Sequence, residues 1–310
     1  MAIFLSNDDV GKLLPMGECI AVLEDLFRQQ AAGLVENMPR QRFHSPTTTF
    51  AVMGGIALGS GAHAVRHGSS LTLLYETAGG ALEAVLEPGV MAWIRTGAAT
   101  GVAVKYMSAP DASVVGLIGA GRQARTQIEA VCAVRPVKLV KVFSRAAERR
   151  AMFAQEMEAR LGVEVRPVGS SADAVVGSQV VVTVTKSAEP VFDGALLEPG
   201  AHISAAGNNS WLRREIDETT ITRAAVIAVD DLRQARIECG ELRWAAERGA
   251  FRWSQAVELH EVVSGKVAGR PSPAAVTLFE SQGVGVEDVA CSAYVLKKAR
   301  ELGLGQPLPF

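Results

Sequence analysis

Cysteine is scarce in this chain of 310 residues, and the four present, Cys19, Cys132, Cys239 and Cys291, stand too far apart in sequence to form the close pairs of a zinc site or a redox motif. Buried thiols are the expectation for them. An excess of charge of either sign is missing as well. Thirty-one Lys and Arg against 33 Asp and Glu leave a formal charge of −2, and no basic cluster is interleaved with aromatics, so nucleic acid is not expected as a partner. No apolar run approaches the ~18 residues needed to span a bilayer. The opening segment Met1–Leu14 carries Asn7, Asp8 and Asp9 in place of the basic-then-apolar layout of a secretory leader. A soluble, cytoplasmic protein without membrane contact is the expectation. Internal repeats and low-complexity tracts are also lacking. What is present is a core-forming composition, with 21% charged residues and a mean hydropathy of +0.19, on a length that suits two domains.

Apolar residues Ile20, Leu23, Leu26 and Phe27 recur at helical spacing between Pro15 and Gly33. From Met38 to Leu86 the texture changes to short apolar stretches broken by Gly, Ser, Thr and His. Two of these, Leu71–Tyr75 and Ala81–Leu86, flank Gly79-Gly80, which reads as a hairpin turn because glycine accepts positive φ at no steric cost. A mainly antiparallel sheet is expected here, followed by a helix over Pro88–Met107. The junction Ala109-Pro110-Asp111 marks a domain boundary, with residues 1–112 before it. Beyond it strands and helices alternate: strands at Val114–Ile118, Leu139–Phe143, Val163–Val165, Gln179–Thr185, His202–Ala205 and Val226–Val229, with helices at Gln123–Ala133 and Ala146–Leu161. Strands apolar on both faces and separated by helices imply a parallel, doubly wound α/β sheet over residues 113–285. The last helical stretch, Val286–Leu302, is expected to return to the first domain, so that 286–310 joins it.

The turn Gly119-Ala120-Gly121-Arg122-Gln123-Ala124 follows the buried-type strand directly and opens a helix. In that context the Gly-x-Gly-x-x-Ala pattern reads as a dinucleotide-binding turn of the Rossmann type. Gly119 permits the tight turn, Gly121 lets the backbone approach the pyrophosphate, and Ala124 allows close helix–strand packing. The helix N-terminus at Arg122 and Gln123 then offers amide donors to the phosphates.

In domains that prefer NAD, the second strand ends in an acidic residue that binds the adenosine ribose. Here it ends Val142-Phe143-Ser144-Arg145. Ser144 can donate to a 2′-phosphate and Arg145 can pair with it, which favours NADP(H) over NAD(H); the other reading of Arg145 is a solvated start to the next helix. Thr183 and Thr185 end another strand at the edge where open α/β sheets bind ligands. They read either as cofactor contacts or as residues chosen for strand propensity. Ala206 and Gly207 leave the next strand at the same edge, small enough for their loop to approach a nicotinamide.

Several segments together resemble the ornithine cyclodeaminase and mu-crystallin family, which includes alanine dehydrogenases and ketimine reductases. They are Met38-Pro39-Arg40, Arg95-Thr96-Gly97-Ala98-Ala99, Ile118–Ala124, Glu198–His202 and Ser281–Asp288. The resemblance covers nearly the whole chain. It implies a smaller α+β domain for substrate and dimerisation beside the Rossmann domain. It further implies a homodimer whose first domains share a β-barrel, and an active site in the cleft between domains. By motif position, Arg40 and Arg95 fall on the two arginines that hold the substrate carboxylate, a role that suits the guanidinium fork. Thr96, beside Arg95, falls among the cofactor contacts. The family's substrate lysine falls on His63 of Gly61-Ala62-His63, a departure that offers an imidazole as proton donor. An acidic residue used by the cyclodeaminase falls on Asn209, which cannot take up a proton at neutral pH.

These substitutions move the expected reaction from cyclising deamination to reduction of a small imino acid, or the reverse oxidation of an amino acid. Arg42, His44, Arg66 and His67 lie nearby in sequence and, if they face inward, would accommodate a second acidic group. Two other readings stay open on the sequence: a cyclodeaminase of ornithine or lysine that recycles NAD, and a protein that binds the dinucleotide without catalysis.

Overall fold

The computed structural model, which describes residues 1–309, divides the chain into two units: Met1–Ala98 with the C-terminal segment from Gly283, and Ala99–Gln282. The division falls inside helix α3 (Gly89–Met107), ahead of the Ala109-Pro110-Asp111 junction where the sequence places it. The reason is packing: Val104, in the second half of that helix, joins the core of the second unit.

The first unit begins with β1 (Ile3–Leu5), α1 (Asn7–Leu13) and α2 (Met16–Ala31), followed by β2 (Val35–His44), β3 (Thr49–Ala57), β4 (Ala62–His67), β5 (Leu71–Glu76) and β6 (Leu82–Leu86). Helix α1 starts where Ser6 and Asp9 cap each other's backbone. Ile20, Leu23, Leu26 and Phe27 of α2 are all buried, as their spacing requires. Strands β2 to β6 run antiparallel in sequence order, and β1 adds parallel to β6. Because side chains alternate along a strand, the register sorts the sheet into two faces. Met53, Ala57, Ala62, Ala64 and Leu74 are buried on one, whereas Phe43, Phe50, Ile56, Val65 and Leu71 are exposed on the other. Helix α3 (Gly89–Met107) follows β6, and the chain ends with α11 (Gly285–Leu302) and β15 (Gln306–Pro307), the latter pairing with β1. Helix α11 lies against the buried face at a pair of glycines. A Cβ on Gly285 would overlap the Gly54 backbone, and one on Gly55 would overlap Val286 Cγ1.

The second unit is an eight-stranded sheet with every pairing parallel. Its strands are β7 (Val114–Ile118), β8 (Leu139–Phe143), β9 (Glu164–Pro167), β10 (Val180–Thr183), β11 (His202–Ala205), β12 (Ala224–Val229), β13 (Ala256–Glu258) and β14 (Val276–Glu280). Their order is β13-β12-β14-β11-β10-β7-β8-β9, so strand order reverses beside β7. Successive residues of one strand serve opposite cores. Leu117, Val182 and Val142 pack with α4 (Arg122–Val134) and α5 (Ala147–Leu161), while Ile118, Val181 and Ile203 pack with α6 (Ser171–Val175), α8 (Leu232–Glu238) and α9 (Gly240–Glu247). Short helices α7 (Glu218–Arg223) and α10 (Leu259–Val263) complete the unit. Strand β14 is absent from the sequence-based expectation, yet it sits between β11 and β12. Among the described residues, no helix is long and apolar enough to cross a membrane.

Of the four cysteines, Cys132 is half-buried and the other three are buried. The fold brings Cys19 and Cys291 to 3.6 Å between sulfurs, although 272 positions separate them.

Candidate active site

The turn after β7 lies where strand order reverses, the place at which open α/β sheets bind ligands beyond their carboxyl ends. Gly119 has φ of +121°, and a Cβ there would lie 2.6 Å from Val184 O, so the turn can pass over the β10 loop only as glycine. Gly121 is different. It stands in extended backbone as the N-cap of α4, no side chain caps the helix, and a Cβ would meet nothing within 4 Å. The first turn of α4 also lacks an acidic residue. An open cradle in front of uncompensated amides therefore faces solvent, which is what a dinucleotide pyrophosphate requires.

Around that cradle, Arg122 is exposed, Gln123 is half-buried and Ala124 is fully buried against the sheet. Two buried acceptors have no hydrogen-bond partner among the described residues, Gln123 Oε1 and Thr183 Oγ1. Thr185 instead accepts from Ser187 N–H at 3.1 Å through its hydroxyl. Ser144 is half-buried, and its carbonyl accepts from Arg150 Nη1 at 2.8 Å. Arg145 is exposed. Ala206 and Gly207 are half-buried, whereas Asn209 is exposed and its neighbour Asn208 is the buried one, donating to Ser187 O at 3.3 Å. These residues fit a nicotinamide dinucleotide.

A residue outside the sequence-based expectation holds this edge together. Glu215 accepts from Thr185 N–H at 2.5 Å and from Gly207 N–H at 2.7 Å. Burial pushes its carboxyl up to about 7, with Glu241 adding to the rise and the Thr185 and Gly207 donors opposing it.

The first unit carries the second set. Arg40 lies where the β2–β3 register shifts between Met38 and Gln41, beside Pro39, which has no N–H for the ladder. It is buried and donates to Gly283 O at 2.7 Å. Arg95 on α3 is also buried and reaches the same residue, since a Cβ on Gly283 would overlap its Nη1. Glu287 Oε2 accepts from Arg95 Nη1 at 2.9 Å, and Asp288 Oδ1 lies 3.5 Å from its Nε. Thr96 also accepts from Nη1 at 2.8 Å and donates to Ala92 O, so its hydroxyl orients Arg95. Arg66 of β4 adds a third guanidinium, donating to Asp288 Oδ1 at 2.9 Å and to Gly68 O. Arg66, Arg95, Glu287 and Asp288 thus form one ion-paired group beside Gly283.

His63 lies on the other face of β4. Ala62, Ala64 and Arg66 share the side that carries α11, while His63 pairs with Ile56 and Tyr75 on the opposite side and stacks on the Tyr75 ring at 5.2 Å. Strand alternation thus separates His63 from the arginine group and brings in Arg66. His67 shares the His63 face, 5.3 Å from the Phe50 ring, and His44 is exposed and bound to Thr49. Of the additional basic residues noted in the sequence, Arg66 joins the buried cluster, whereas His44 and His67 do not.

A sequence model of the ornithine cyclodeaminase/mu-crystallin family matches residues 1–303. The chain is 33% identical over 228 residues to a Delta(1)-pyrroline-2-carboxylate reductase of Bacillus cereus, covering 73% of this chain and 70% of that one. Among solved structures it is similar to Thermococcus litoralis Delta(1)-pyrroline-2-carboxylate reductase in complex with NADH and L-proline. There the TM-score is 0.94 at 31% identity, over 99% of this chain and 100% of that one. An archaeal alanine dehydrogenase dimer with bound NAD also gives a TM-score of 0.94, at 28% identity over 100% and 99% of the two chains.

Proposed function

The chain belongs to the ornithine cyclodeaminase/mu-crystallin family, and from that premise we propose that it is an NAD(P)H-dependent oxidoreductase that reduces a small imino acid bearing one carboxylate. The observation that carries this is the convergence of Arg40 and Arg95 on Gly283, with Glu287 and Asp288 fixing the guanidinium of Arg95. Guanidinium groups held in fixed orientations suit a carboxylate as charged hydrogen-bond donors. The charge of Arg66 is engaged by Asp288, which leaves Arg40 and Arg95 as the pair assigned to the substrate carboxylate. A cyclic imino acid, as the names of the Bacillus and Thermococcus relatives indicate for those proteins, meets that description.

A reduced nicotinamide supplies a hydride to the imine carbon. The amides at the start of α4 and the space at Gly121 would hold the pyrophosphate. When the imine nitrogen arrives protonated, hydride addition gives the neutral amine directly and the protein need not donate a proton. That assignment leaves His63 outside the proton path. Asn209 has no proton to exchange at neutral pH, so cyclising deamination is disfavoured.

We assign the dinucleotide as NADP(H) in preference to NAD(H), because β8 ends in Ser144-Arg145 without a carboxylate and the Arg145 side chain is exposed to receive a 2′-phosphate. We assign a homodimer joined through the exposed apolar sheet face of the first unit, by analogy with the archaeal alanine dehydrogenase dimer. The compartment we assign is the cytoplasm, where thiols such as Cys19 and Cys291 stay reduced.

The test follows oxidation of NADPH and NADH by absorbance against cyclic imino acids with one carboxylate, an imino-dicarboxylate, and 2-oxo acids with ammonia or methylamine. Turnover is expected with the first group, faster with NADPH, and without ammonia release from ornithine. Arg95→Ala is expected to lower kcat/KM by about 10²-fold, the order set by losing hydrogen bonds to a charged group, while dinucleotide affinity persists. Failure of every substrate to turn over, despite measured dinucleotide binding, would sink the reading.

A further inference from the structure

Two loops leave the carboxyl edge of the parallel sheet beside the Gly119 turn, one after β10 at Val184-Thr185 and one after β11 at Ala206-Gly207. One buried side chain binds the backbone of both. Oε1 of Glu215 accepts from Thr185 N–H and Oε2 accepts from Gly207 N–H. The fit has no slack, since a Cβ on Gly207 would overlap Glu215 Oε2 and the backbone of Thr185. Glu215 is itself located from behind: its N–H donates to Glu241 Oε1 at 2.8 Å, and Gly240 at the start of α9 packs directly on the carbonyl of Arg213.

A carboxylate is a costly way to fill this space. Glu215 has no solvent exposure, and Glu241 and Glu280 are buried in the same region, where the ligating atoms of Glu241, Glu280 and Cys239 lie within 4.8 Å of one another. Packing alone would be served by an apolar side chain. What requires a carboxylate is the pair of facing N–H groups, which together need two acceptors on one rigid group. Glutamine has the same shape but one acceptor, and its amide hydrogens would face a donor.

We propose that Glu215 is a positioning residue for the dinucleotide, locking the β10 and β11 loops to each other so that Thr183, Thr185, Ala206 and Gly207 form one fixed edge. It rests on the dinucleotide-dependent reading of the protein. The lock acts before any ligand binds, and it concerns the dinucleotide, not the imino acid that Arg40 and Arg95 hold.

The experiment compares wild type, Glu215→Gln and, as a control for lost core packing, Leu242→Ala, whose side chain is fully buried in the same unit. Three quantities are measured: amide hydrogen exchange at Thr185 and Gly207 without dinucleotide, the Kd for NADPH and NADH, and KM for the imino acid. Glu215→Gln is expected to speed exchange at one or both amides and to raise the dinucleotide Kd by about tenfold or more, the order expected from an unsatisfied buried donor. KM for the imino acid should change much less, and Leu242→Ala should lose stability without the shift in Kd. Should Glu215→Gln fail to fold, Gly207→Ala intrudes on the same contact and carries the same expectations. An unchanged Kd in these variants, or an equal shift in Leu242→Ala, overturns the positioning role and leaves the enzymatic reading standing. Absence of dinucleotide binding by wild type overturns both.

Discussion

His202 sits in the middle of the parallel sheet with no exposed surface, and its protonation follows from its neighbours. Thr277 Oγ1 donates to Met107 O at 2.9 Å, so it must accept from His202 Nδ1–H, also at 2.9 Å. Nε2 is then the acceptor for the Ser204 hydroxyl at 3.0 Å. Burial, with Arg135 and Arg270 contributing, lowers the pKa of the ring to about 3. Because the folded value lies below the unfolded one, the neutral ring favours folding above about pH 6.5, and that contribution is lost as pH falls towards 3. Relative to His202→Gln, wild type should lose about 1.4 kcal/mol of stability per pH unit below 6.5, or about 2 kcal/mol by pH 5. Urea denaturation of both proteins near pH 7 and pH 5 measures this; parallel curves for the two would contradict the assigned neutral state.

At the scale of elements, the turn from β7 into α4 separates two uses of glycine. Gly119 needs its residue type for folding, because its φ is positive and Val184 O stands where a Cβ would go. Gly119→Ala should therefore cost about 1–3 kcal/mol of stability. Gly121 has no such constraint: φ is −92° and the space beyond it is open. Gly121→Ala is expected to change stability by less than about 1 kcal/mol yet to weaken dinucleotide binding markedly, since its methyl would stand in front of the α4 amides. Denaturation and dinucleotide titration of both variants test the distinction. Loss of stability in both, with binding to the folded fraction intact, would mean the Gly121 space is not the pyrophosphate cradle. Helix α11 shows the same economy at its own start, where Gly283 admits the Arg95 guanidinium and Gly285 admits the β3 backbone.

For the whole molecule, the first unit presents Phe43, Phe50, Ile56, Val65 and Leu71 on one sheet face, all exposed in the single chain. Large apolar side chains exposed together on one sheet face mark an interaction site. In the proposed homodimer that face is covered by a second copy. Ile56→Lys together with Val65→Asp should then shift the protein to monomer in sedimentation at micromolar concentration while the parallel-sheet unit remains folded. A wild-type protein that sediments as a monomer, or a double variant that remains dimeric, would place the interface elsewhere or remove it.

Much of this protein is written locally. The β7 strand, the Gly119–Ala124 turn and the α4 helix occupy consecutive residues, so hydrophobic pattern and glycine position were enough to place this strand, turn and helix. Arg40 and Arg95 stand in recognisable short segments, but that both reach Gly283 is visible only in the folded chain. Strand β14 was not legible, because Val276–Glu280 is a short apolar run whose partners β11 and β12 lie far back in the chain. Nor was the choice between His63 and Arg66, three residues apart on one strand: spacing after Gly61 selected His63, but alternation and β3–β4 pairing turn Arg66 towards Asp288 and His63 away. Glu215 belongs to the same class. Nothing in its own segment shows that Thr185, 30 positions earlier, and Gly207 present their N–H groups to it. Sequence alone determined the architecture and the type of ligand, which depend on local pattern; tertiary structure decided which charged groups meet, because that depends on which backbone and which face each strand is paired with.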